Sequence, residues 1–171
     1  MFEQLLGLPA HPLLLHATVV FVPLLALGTI AYAVVPRLRR RIRWEVGLLA
    51  LVGAGSVVAT RLSGDAFKAR SIRKGQVSPQ GLAQINQHQS SGVTTMWVVL
   101  ALAAVALVLL YLVGPAGQTA AGDGTVAAAQ PAALRILGIV VAVAAVGLAI
   151  ASLYYVYRTG DLGARIVWSG R

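Results

Sequence analysis

Three histidines, two aspartates and two arginines hold most of the chemistry available to this chain of 171 residues. His11 and His16 stand at the mouth of the first apolar run, in "GLPAHPLLLHATVVFVPLL", and His88 precedes the third. Arg61 and Asp65 lie at the end of the second run, in "RLSGD", and Arg158 and Asp161 open the C-terminal "RTGDLGARIVWSG". Two histidines from different helices could hold a b-type haem, with Arg61 and Arg158 available to its propionates. A non-haem metal would instead draw on His11, His88 and a carboxylate, Asp65 or Asp161. A third reading is structural, with imidazoles satisfying helix ends near an interface, where ionisable groups are cheap. Quinone or proton chemistry completes the set. No glycine-rich phosphate loop and no nucleophile–base arrangement is present, so no catalytic residue is assigned and no enzyme class is indicated.

Spacing ranks the histidines. His11 precedes Pro12, which places it at a helix cap. His11 and His16 are five residues apart, about 140° around a helix, a poor clamp for one metal. Counting back from Val35 and Val113 puts His11 and His88 at one height and His16 roughly 9 Å deeper. The level pair is therefore His11 and His88. His16 belongs to a second layer, bonding a carbonyl or a water.

The elements that must carry these residues are membrane helices. The chain is 58% hydrophobic and 11% charged, too apolar for a soluble fold of this size to bury. Four runs, 12–35, 44–62, 92–113 and 134–157, are each long enough to cross a hydrocarbon core. In lipid a spanning segment of this kind satisfies its backbone as a helix. The expectation is an all-α, integral membrane four-helix bundle forming one domain over 1–171. A polar connection is expected over 63–91 and a flexible linker over 114–133. Ser78 and Pro79 read as a helix N-cap and first turn, so the third helix extends outward past its apolar part. On that helix Leu82, Ile85, His88, Gly92 and Met96 share a side, which turns His88 toward protein.

Finer patterns support packing in lipid. Gly47, Ala50 and Ala54 share one face of the second helix. Gly138 with Ala142, and Ala145 with Ala149, follow small-xxx-small spacing in the fourth. Tyr32, Trp44, Tyr111, Tyr154, Tyr155 and Tyr157 fall near run ends, as an aromatic belt would. Pro23, mid-run, implies a mild kink.

The net charge of +9 does not indicate nucleic acid, because the basic residues sit mainly between the apolar runs and no binding motif accompanies them. The absence of cysteine excludes disulfides, thiolate metal sites and iron–sulfur clusters. An even number of crossings puts the N-terminus, the 63–91 connection and the C-terminal tail on one side, with all three histidines. The arginines of "PRLRRRIR" argue that the opposite side is cytoplasmic, so both termini are expected outside. The whole-chain count of basic residues leans the other way. The expected partners are the lipid bilayer and a membrane protein or a second copy of the chain. A non-catalytic accessory subunit of a larger membrane complex is the competing functional class.

The "HPLLLH" block, the "SGDA" after the second run, His88 and the closing "TGDLGARIVWSG" together resemble domain-of-unknown-function family 2231, and the resemblance covers nearly the whole chain. It implies a bacterial four-span helical protein of the cell membrane. It implies no established biochemical role. Related sequences occur joined to cytochrome-like modules, an association with haem rather than a demonstration of it. Many members of that family carry histidine after the C-terminal "TG", where this chain has Asp161.

Overall fold

The computed structural model describes residues 4–5, 7–113 and 131–168. A two-residue antiparallel pair, β1 (Gln4–Leu5) and β2 (Leu8–Pro9), comes first. Gly7 turns between them at φ 81°, a left-handed conformation that glycine adopts without a Cβ penalty. Four helices follow: α1 (Ala10–Val34), α2 (Arg39–Arg73), α3 (Pro79–Leu112) and α4 (Ala132–Trp168). A 3-10 turn at Pro36–Leu38 joins the first two. All four are long and apolar enough to cross a membrane.

The helices outrun their apolar segments. The connection expected over 63–91 is mostly helical: α2 continues to Arg73 and α3 starts at Pro79. Hydropathy marks where a helix is solvated by lipid, whereas its ends are set by caps. The Ser78 side chain accepts a hydrogen bond from the Gly81 amide at 3.1 Å and Pro79 fills the first helical position, as the sequence predicts. Likewise the arginine-rich turn after α1 is largely the first turn of α2, and the C-terminal tail continues α4. The linker expected over 114–133 lies, through residue 130, outside the described residues. α1 runs unbroken through Pro23.

Each helix packs against its two ring neighbours. α1 and α3 touch α2 and α4 extensively and each other only sparsely, so α1 and α3 are one diagonal of the bundle. The core is repeated. Leu25, Ala26 and Ala50 meet Leu102, Ala103 and Ala149 in one layer. Val22 and Val57 meet Val99 and Val156 in the next. In both layers one constant sequence offset carries α1 onto α3, and another carries α2 onto α4. The molecule is thus two helical hairpins of the same direction, related by a pseudo-twofold axis along the bundle. The small residues work as their spacing predicts: Ala145 and Ala149 are fully buried, and a Cβ on Gly47 would touch Leu110 at 3.6 Å.

Outward faces are apolar as well. Leu27, Leu51, Ile139 and Val143 are all more than half exposed, as lipid-facing side chains would be. Trp44 and Tyr111 face outward, 74% and 82% exposed, as an aromatic belt requires, whereas Tyr32 does not. Tyr32 is 1% exposed, packed beside Val46 and Leu109, with the Arg39 guanidinium 6.0 Å from its ring centre. A position near the end of a run does not say which way the side chain turns.

Candidate functional site

The polar end of the bundle is built from a repeated local unit. In the first hairpin, His11 Nδ1 lies 3.1 Å from the Thr60 carbonyl and 3.2 Å from Ser63 Oγ. In the second, His88 Nδ1 lies 3.0 Å from the Thr159 carbonyl. A carbonyl only accepts, so Nδ1 carries the proton in each ring and Nε2 carries the lone pair. Neither Nε2 has a hydrogen-bond partner among the described residues.

Glycines let the rings approach. A Cβ on Gly64 would stand 3.1 Å from His11 Cε1, and one on Gly163 would stand 3.0 Å from His88 Cε1. Each ring therefore lies flush on the backbone of the neighbouring helix, one turn beyond the threonine whose carbonyl holds it. Threonine pairs brace the same level: Thr18 meets Thr60 and Thr95 meets Thr159, each at 2.8 Å between hydroxyl oxygens. Thr60 Oγ1 donates to the Leu14 carbonyl, and Ser91 Oγ lies 2.7 Å from Thr159 Oγ1. Hydroxyls tied across helices in this way hold helix rotation as well as spacing.

The two units bring the imidazoles together on the bundle diagonal. Their ring centres are 6.3 Å apart, with planes at 78°. Both line a cavity of about 450 Å³ between the four helices, within the size range of small-molecule and cofactor sites. Apolar lining comes from Pro12, Leu15, Val19 and Ile85 among others. Phe67 stacks on His11 at 6.2 Å between ring centres.

The expected residues separate into those that converge and those that do not. His11 and His88 converge, as their level heights predict. Arg61 and Asp65 line the same cavity and form an ion pair with each other. His16 is exposed, and its Nδ1 is occupied by the Pro12 carbonyl of its own helix at 2.6 Å. It is no part of the cavity. Arg158 lines a different groove, of about 350 Å³ between α3 and α4, with Gln87, Ser90 and Tyr155. Asp161 is held by Arg165 one turn along α4 at 2.8 Å. No group of three metal-ligating side chains occurs among the described residues, so neither Asp65 nor Asp161 joins His11 and His88 in one. Helical phase decides both cases: Arg158 and Asp161 are near Thr159 in sequence but point away from its face.

Thr60, Thr159, Gly64, Gly163 and Lys68 are the site residues that the sequence reading passes over. A signal for four of them exists. His-x6-Thr occurs at His11 and again at His88, and Thr-x3-Gly occurs at Thr60 and again at Thr159. Comparing the two halves of the chain exposes the repeat.

Fold and site define a multi-pass helical membrane protein whose polar chemistry sits at one end of a twofold-repeated bundle. The chain belongs to the DUF2231 family, whose model, described as "Predicted membrane protein (DUF2231)", matches residues 7–171. No curated protein and no solved structure matches it.

Proposed function

We propose that the protein is a b-type haem carrier of the membrane, in which His11 and His88 would hold the haem. The observation that supports this best is the pair of imidazoles on diagonal helices, each donating Nδ1–H to a backbone carbonyl and keeping Nε2 as a lone pair. A backbone carbonyl on the distal nitrogen is the usual support for a metal-bound histidine, fixing tautomer and ring direction. The spacing fits. The two ring centres are 6.3 Å apart, close enough for His11 and His88 to hold one group between them.

Two alternatives fit less well. A bare metal ion would have only two protein ligands here, whereas a haem brings four nitrogens of its own. A purely structural role has no helix end to satisfy. Thr60 and Thr159 lie inside α2 and α4, where their carbonyls already accept helical hydrogen bonds. The bonds from His11 and His88 serve the imidazoles. Held by two protein histidines, the group would supply one-electron exchange.

The test is the visible spectrum of the protein purified in detergent after expression with a haem supply. The expected result is a low-spin b-type spectrum at one haem per chain. His11→Ala and His88→Ala should each lose it, and His16→Ala should keep it. A protein that folds yet takes up no haem, or one that loses it only on His16→Ala, would overturn the reading.

A further inference from the structure

The pseudo-twofold axis provides an internal control, because whatever symmetric packing requires recurs in both halves. The histidines, threonines and glycines recur. The rim of the cavity does not. On the α2–α3 seam stand Arg61, Asp65 and Lys68 of α2, facing Asn86 and Gln89 of α3. Lys68 Nζ donates to Asn86 Oδ1 and Gln89 Oε1, each at 2.6 Å, and Gln89 Nε2 donates to Asp65 Oδ1 at 2.7 Å. At the offsets that superpose the cores, the equivalent places on the α4–α1 seam hold Gly160, Ala164 and Val167 of α4 and Pro12 of α1. None of these four side chains has a charge or an amide. Arg61, Lys68 and Gln89, and equally Gly160, Ala164 and Val167, line the one cavity that holds both imidazoles.

Lys68 is also unbalanced. Its two partners are neutral amide oxygens, and the nearby Asp65 carboxylate is paired with Arg61. An ammonium has three donors, so one donor and the charge are left for a ligand. The ligand this rim suits has one anionic edge and one apolar edge.

The geometry points to a carboxylate subsite on the α2–α3 seam: Lys68, with Arg61 beside it, takes the propionates of the macrocycle proposed above, while the Gly160–Ala164–Val167 seam takes its apolar edge. This rests on the haem reading and assigns the orientation that a pseudo-symmetric pair of histidines leaves open. Arg158, in its separate groove, has no part in it.

The experiment titrates the apoprotein, in detergent, with haem and with haem dimethyl ester, whose carboxylates are blocked, following the Soret band. The wild type should prefer the free acid by about tenfold or more, the range of a charge-assisted hydrogen bond. Lys68→Gln should bring the ratio close to one, with the ester's own affinity little changed. Arg158→Gln should leave the ratio as in the wild type. Equal affinity for acid and ester in the wild type, or a ratio that falls on Arg158→Gln and not on Lys68→Gln, would overturn the subsite alone. No Soret shift with either compound would overturn the haem reading and the subsite with it.

Discussion

Each imidazole at the polar end is placed by two neighbours, a threonine carbonyl that orients its Nδ1 and a glycine that lets the ring lie close. The glycines are the sharper test. At 3.0–3.1 Å, an added Cβ on Gly64 or Gly163 forces the ring away, and both ring and backbone are confined. Gly64→Ala and Gly163→Ala should therefore each weaken the proposed haem binding between about ten- and a hundredfold, as loss of ligand support does elsewhere. Gly55→Ala is the control. Nothing lies within 4 Å of a Cβ there, and binding should be unchanged. Haem content by pyridine haemochrome assay, normalised to protein, reads all three.

For the helices, polar side chains divide into ones that tie two elements and ones that tie none. Thr95 Oγ1 contacts Thr159 Oγ1 at 2.8 Å and donates within reach of the Ser91 carbonyl at 2.9 Å, joining α3 to α4. Thr95→Val should destabilise the bundle by about 1 kcal/mol. Ser152, fully buried in α4, has a hydroxyl without a partner among the described residues. Ser152→Ala removes that unsatisfied group and should be neutral or stabilising. Unfolding in mixed micelles with rising SDS would rank the two. At the start of α3, Ser78→Ala deletes the N-cap bond to Gly81 and should destabilise by about 1 kcal/mol. Its effect should centre on the first turn of the helix, visible as faster amide exchange there.

The whole molecule is two hairpins fused in one direction, which puts His11 and His88 at the same end and gives α1 and α3 the diagonal. Because the chain has no cysteine, single cysteines report its topology without a background. Gln76→Cys, between α2 and α3, and Arg37→Cys, between α1 and α2, should label from opposite sides of a sealed vesicle. Labelling of both from one side would contradict the crossing of α2. The number of spans, the shared end of the histidines and the level pair His11 and His88 were legible in the sequence. They depend on run length and helical rise, which are one-dimensional quantities. The Ser78–Pro79 cap was legible for the same reason, being local. What the tertiary structure alone decided is how each helix is rotated. These helices are apolar on lipid-facing and core-facing sides alike, so hydropathy carries no phase. Phase is set by small residues and hydroxyl pairs meeting across helices. That is why Tyr32 is buried, why Arg158 and Asp161 turn away while Thr159 turns in, and why Lys68 faces the cavity from the one seam that breaks the twofold repeat.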